Sequence, residues 1–291
     1  MNALFLLLII VSISTQHVCK KNWGKKNPEG TLTFSAASAL LATLTVTVFS
    51  EKFVFSPSII IYAVIFAASY SLALIFSVLA LKEGPLSLTC LFTQYSLIIP
   101  TFYGLIFLSE EKKNEIVDSA KKNSLFIGLF FLLISIILVN FEKKDEKKIT
   151  LKWALYTFIS FLGNGICSTS QKLAGSNLAK EHKSAFMISA FIIIFSSLLL
   201  FSLFFERKKA LPMLKKAPAA PILCGVANGV VNTLVLILSS RMSASVMFPV
   251  IASGGIIATA ALSVTVYRER LSALQKVGLF FGIASIVFLN L

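Results

Sequence analysis

Asn228 and Asn232 lie four residues apart in an otherwise apolar stretch. On a helix this spacing projects both amides from one face, where together they can grip a carboxylate, an amide or a hydroxyl group. Gln94, flanked by Thr93, Tyr95 and Ser96, precedes Pro100 by six residues, and Ser253 with Gly254 and Gly255 occupies the corresponding place in a later segment. Proline and paired glycine loosen a helix and free backbone groups to face a cavity. Tyr70, between Ser69 and Ser71, offers a hydroxyl and an aromatic face for a flat solute. Gln16 ends one apolar stretch, and Gln171, with Asn164, Ser168 and Thr169, ends another. The residues expected to bind a substrate are therefore Asn228, Asn232, Gln94, Tyr70, Ser253, Gln171 and Gln16. Each has a competing structural role: interhelical hydrogen bonding for the asparagines, close helix packing for Gly254 and Gly255, an interface or packing role for Tyr70.

The remaining chemistry-bearing residues point away from catalysis. Lys172 sits at a helix end, where a lysine ordinarily snorkels to the interface, and His17 forms no metal site by itself. Cys19, Cys90, Cys167 and Cys224 fall singly in different segments, with no CxxC spacing, and are expected to pack as small apolar groups. No Asp or Glu falls inside an apolar stretch, and an intramembrane enzyme would need paired carboxylates or histidine clusters. Glu110 beside Lys112, and Glu269 beside Arg268 and Arg270, are expected to form interfacial ion pairs of modest strength. No cofactor, metal or nucleotide motif is present in the sequence, and the chain is not expected to be an enzyme.

These residues have to be positioned by membrane helices. Of 291 residues, 56% are hydrophobic, and the mean hydropathy is +0.85, outside the soluble range. A helix crossing ~30 Å of hydrocarbon needs roughly 20 mostly apolar residues. Ten stretches qualify, over 2–18, 31–50, 57–81, 85–109, 124–141, 151–171, 184–205, 218–240, 243–266 and 275–291. The first lacks the basic flank and small-residue cleavage site of a signal peptide and is expected to be a retained helix. The net charge of +14 places Lys and Arg in the loops, where they meet lipid headgroups. Nucleic-acid binding is disfavoured, because no segment interleaves basic and aromatic residues.

An internal repeat organises the ten stretches. Gly128-Leu129-Phe130-Phe131, Ser135-Ile136 and Asn140 recur as Gly278-Leu279-Phe280-Phe281, Ser285-Ile286 and Asn290, at a constant offset of 150. Val11, Ser12, Ser14, Thr15 and Gln16 face Ile166, Cys167, Thr169, Ser170 and Gln171 at an offset of 155. The fourth and ninth stretches both finish in an acid, Glu110 and Glu269, and the first half carries extra residues over roughly 112–122. Five helices per half is an odd number, so the second copy enters the membrane from the opposite side. The expected fold is thus an all-α membrane protein of ten transmembrane helices as two inverted five-helix repeats, 1–141 and 150–291.

The fourth and ninth stretches also carry a resemblance. Lys82-Glu83-Gly84-Pro85 opens a segment that reaches Ser109 and Glu110. The second half has Glu269, Leu271-Ser272, Gln275 and Gly278 after a small-residue helix. This pattern resembles the EamA repeat of the drug/metabolite transporter superfamily over almost the whole chain, most clearly its second half. Ser109 and Arg268 stand where the family has glycine before the acid. The resemblance implies transport, and both termini in the cytoplasm. The charges imply the reverse, since loops after odd-numbered stretches, counted with the flanking Lys152 and Lys276, hold 18 Lys and Arg against 9 after even-numbered ones, and such loops stay cytoplasmic. Proton-coupled multidrug exporters of the superfamily carry a glutamate in the first helix. Its absence here argues against coupling through a buried carboxylate.

The expected function is a secondary transporter moving a small polar metabolite, such as an amino acid or similar zwitterion, by alternating access. A flippase for a lipid-linked substrate is the alternative. The expected setting is a multi-pass protein of the cell membrane, a monomer or homodimer, whose partners are a small-molecule substrate and the bilayer, with no nucleic acid.

Overall fold

The structure, a computed structural model, describes residues 2–27, 29–50, 53–84, 86–107, 119–140, 150–206, 210–268 and 272–290. These form twelve helices and no strand among the described residues: α1 Asn2–Lys26, α2 Thr31–Val48, α3 Ser58–Glu83, α4 Leu86–Tyr95, α5 Ile98–Phe107, α6 Ser119–Asn140, α7 Leu151–Asn177, α8 Lys180–Phe205, α9 Ala210–Lys216, α10 Ala219–Ser239, α11 Ala244–Thr265 and α12 Ala273–Asn290. Six of them, α1, α2, α3, α8, α10 and α11, are long and apolar enough to cross a bilayer, which marks the chain as a multi-pass membrane protein. Glu110, Glu269, Leu271 and most of the first-half insertion lie outside the described residues.

The helices turn large apolar side chains to the outside, and within they combine packed aromatic and aliphatic clusters with buried polar and small residues. On α7, Leu151, Leu155, Phe158, Leu162 and Ile166 are exposed at three- and four-residue spacing, while Trp153, Thr157, Ser160, Gly163, Cys167, Ser170 and Gln171 are buried. The main packing pairs are α3 with α7, α10 with α1, α2 with α10, α3 with α8, α2 with α8, and α6 with α12. Small residues set the approach. A Cβ on Gly163 of α7 would meet the Ser69 carbonyl oxygen of α3 at 2.7 Å and Ala73 N at 3.0 Å, so the two backbones are nearly in contact there.

The residues that match between halves also build a helix interface. Ser285 Oγ of α12 donates to the Gly128 carbonyl of α6 at 2.8 Å, and Phe131 meets Phe281, its own counterpart, edge-on at 5.4 Å. Both tryptophans of the chain are buried with their indole N–H spent: Trp23 on the Gly30 carbonyl, 2.8 Å, and Trp153 on Thr89 Oγ1, 2.9 Å. Glu206, just past α8, caps α2, accepting from Leu32 N at 3.0 Å and Thr33 N at 2.8 Å. A carboxylate there satisfies orphan N–H groups and opposes the positive end of the helix dipole.

Several sequence expectations are corrected. The first helix does not end near Val18 but runs to Lys26, so Lys20 and Lys21 are buried helix residues rather than loop charges. The Lys21 ammonium lies 4.8 Å from the Tyr267 ring centroid, a cation–π contact that holds the basic end of α1 against the turn just past α11. The fourth stretch is two helices, α4 and α5. Pro100 has no N–H for the Ser96 carbonyl, which instead accepts from Ile99 N at 3.1 Å in a tighter turn. The glycine pair does not loosen its helix: α11 runs unbroken through Gly254 and Gly255.

Candidate functional site

Three helices present the same spacing to one place. Ile13, Gln16, His17 and Lys20 of α1; Asn164, Cys167, Ser168 and Gln171 of α7; and Asn228, Val231, Asn232 and Val235 of α10 each follow i, i+3, i+4, i+7, the stripe of a single helical face. Between these stripes lies a cavity of about 120 Å³, lined also by Tyr70 and Ser77 of α3, Thr93 and Gln94 of α4, Ser96 and Leu97 at the α4–α5 break, and Phe248 and Ile251 of α11. Thirteen of its twenty lining residues are polar or charged, although the exterior of the bundle is apolar. Such a space holds several waters or a small solute.

Hydrogen bonding fixes which atoms of the wall are free. Asn232 Nδ2 donates to the Asn228 backbone carbonyl at 3.0 Å, which identifies it as the amide nitrogen, and also to Asn228 Oδ1 at 2.8 Å. Tyr70 donates its hydroxyl to the same Oδ1 at 2.6 Å. Two donors converging on one atom require it to be oxygen, so the amide of Asn228 is oriented without ambiguity. Its nitrogen, Nδ2, is buried and has no partner. The Tyr70 ring is held in place, stacked on Phe66 with centroids 5.6 Å apart and planes 2° from parallel.

On the facing wall Gln94 Nε2 sits 3.4 Å from His17 Nε2. The other ring nitrogen, His17 Nδ1, is buried and unpartnered. Gly255 makes room for this amide: a Cβ there would lie 2.7 Å from Gln94 Nε2. Gln171 spends its Nε2 on the Asn232 carbonyl, 2.8 Å, which ties α7 to α10 at the cavity edge.

Six of the seven residues expected from the sequence, Asn228, Asn232, Gln94, Tyr70, Gln171 and Gln16, thus line one cavity. Ser253 does not. It is fully buried with an unpartnered hydroxyl, on a face of α11 about 140° around the helix from Phe248, five residues away. Lys172 does not snorkel: it is 1% exposed, and its Nζ donates to the carbonyls of Ser239, 2.7 Å, and Met242, 3.0 Å, at the negative end of α10.

Lys20 is the wall residue that reading the chain as spans and loops overlooks. It is 8% exposed, lines the cavity, and has no hydrogen-bond or ion-pair partner among the described residues, while no Asp or Glu lines the same space. The available signal is its spacing of four from Gln16 and three from His17.

No family model matches the chain, and no curated protein matches it. Among solved structures 28 chains match. One of them, described only as a crystal structure of a protein, superposes with a TM-score of 0.69 over 99% of this chain and 95% of its own, at 10% identity. At that identity the likeness establishes a shared fold and nothing about activity.

Proposed function

We propose that the chain is a secondary transporter that carries a small polar solute by alternating access, rather than an enzyme. The observation that carries this reading is the polar cavity inside an otherwise apolar bundle. Buried polar groups cost free energy in a membrane unless a partner, water or a solute satisfies them, and here amides from α1, α4, α7 and α10 converge on one space.

The packing pattern supports the inverted repeat that alternating access exploits. If α1, α2, α3, α4 with α5, and α6 are the first five spans, and α7, α8, α10, α11 and α12 the second, the helix pairs exchange as equivalents. α3 on α7 corresponds to α10 on α1, and α2 on α10 to α8 on α3, while α6 on α12 and α2 on α8 map onto themselves. Two halves of opposite orientation, 1–141 and 150–291, can trade conformations and so generate outward- and inward-open states of similar energy. This layout fits the resemblance to EamA-type transporters.

The test is counterflow in proteoliposomes. Purified protein is reconstituted with amino acids, organic acids, amines, sugars or nucleosides trapped inside, and uptake of the labelled counterpart is followed. Uptake of one class, abolished by Asn228→Ala, is the expected result. Uptake of none, with scrambling of a lipid-linked solute instead, would establish the flippase.

A further inference from the structure

We infer that the cavity recognises an oxyanion, the carboxylate or phosphate group of a small solute, and that Lys20 is its charge partner. The inference rests on the carrier reading and names the substrate class of the same site.

Donor and acceptor accounting leads to it. The wall carries two groups that call for an acceptor: Lys20, which has no hydrogen-bond or ion-pair partner among the described residues, and the buried, unpartnered Nδ2 of Asn228. The acceptor beside that free amide nitrogen, Asn228 Oδ1, is already used twice, by Tyr70 and Asn232. No carboxylate of the described residues lines the space, so nothing there compensates a cationic solute. A buried cation without a counter-ion is costly, and its most effective partner is an anion that also accepts several hydrogen bonds. A carboxylate or an ionised phosphate presents mainly acceptor oxygens and a negative charge, which matches donors presented from α1 and α10. An amine offers the wrong sign and the wrong polarity, and a neutral polyol leaves the ammonium uncompensated. A lone charge at the expected exit of α1 would be unremarkable on a surface. At 8% exposure beside Gln16 and His17, it is part of the wall.

The test measures binding and flux together. Wild type, Lys20→Arg, Lys20→Met and Asn228→Asp are purified and checked for monodispersity. Each is titrated with two- to four-carbon monocarboxylates, inorganic phosphate and small phosphomonoesters, and size-matched amines and neutral amides. The same panel is run as counterflow in proteoliposomes. Binding and counterflow confined to the carboxylate or to the phosphate arm are expected, and the arm that responds identifies the source of the oxyanion. Lys20→Met should weaken binding by about tenfold or more, and Lys20→Arg by much less. Asn228→Asp keeps the acceptor used by Tyr70 and Asn232 but replaces the free donor with an oxygen. It should abolish anion binding even if Lys20→Met fails to fold. Counterflow of amines or neutral solutes without oxyanions, or oxyanion binding unchanged in both Lys20→Met and Asn228→Asp, overturns the charge assignment and leaves the carrier reading standing. No counterflow of any solute overturns both.

Discussion

Replacing Tyr70 by phenylalanine removes one hydroxyl and keeps the ring that stacks on Phe66. What is lost is the 2.6 Å hydrogen bond to Asn228 Oδ1. That oxygen still accepts from Asn232 Nδ2 at 2.8 Å, so it is not left bare. The net worth of a protein hydrogen bond is about 0.5–1.5 kcal/mol, and interhelical polar contacts in membranes average roughly 0.6, reaching about 1.7. Tyr70→Phe should therefore cost about 1 kcal/mol. Asn228→Ala should cost more, about 1–3 kcal/mol, because it strands the Tyr70 hydroxyl and one Asn232 N–H in a buried site. The residues lie on α3 and α10, so a double-mutant cycle isolates their coupling, expected near 1 kcal/mol. Reversible unfolding by denaturing detergent in mixed micelles measures all four proteins. A cycle that closes within roughly 0.3 kcal/mol, the additivity of independent sites, would refute the contact and with it the assigned orientation of Asn228.

Other consequences follow from the packing. In Gly163→Ala the new Cβ meets backbone atoms of α3 that cannot swing aside, so α3 and α7 must part. A loss of about 1–3 kcal/mol is expected in the same unfolding assay, and an unchanged midpoint would contradict the close approach. Glu206→Ala should cost about 0.5–2 kcal/mol by uncapping α2, with Glu206→Gln retaining part of it; equal losses from both would contradict the cap. Lys172→Met removes two charge-assisted bonds to the end of α10 and should lower the thermal midpoint, at about 1.5–3 kcal/mol. An unaffected protein would mean that the lysine does reach the interface.

The site was more legible than the fold details around it. Asn228 and Asn232 carry their signal in a four-residue spacing, and Gln16 and Gln171 carry theirs in matched polar helix ends, so local pattern sufficed. Ser253 lies off the cavity because correspondence between halves sets sequence position, whereas the angle around α11 decides which residues see that space. Lys20 was missed because a basic residue after an apolar run reads as the end of a span. Its helical spacing from Gln16 and His17 says otherwise. The role of Lys172 has no sequence signature, since its acceptors are main-chain carbonyls on α10, 67 and 70 residues away. Pro100 signalled a disturbance in the fourth stretch but not its form, which depends on where the Ser96 carbonyl finds a donor.

Cys167 on the cavity wall provides the most direct measurement. A variant with Cys19, Cys90 and Cys224 replaced by alanine keeps it as the single thiol. In vesicles of defined orientation, a small membrane-impermeant thiol reagent is added to one face and then, separately, to the other. Alternating access requires modification of Cys167 from both faces, at rates that a transported solute changes in opposite senses. Modification from one face alone, or rates indifferent to every solute that stabilises the protein, would contradict a carrier that exposes this cavity to each side in turn.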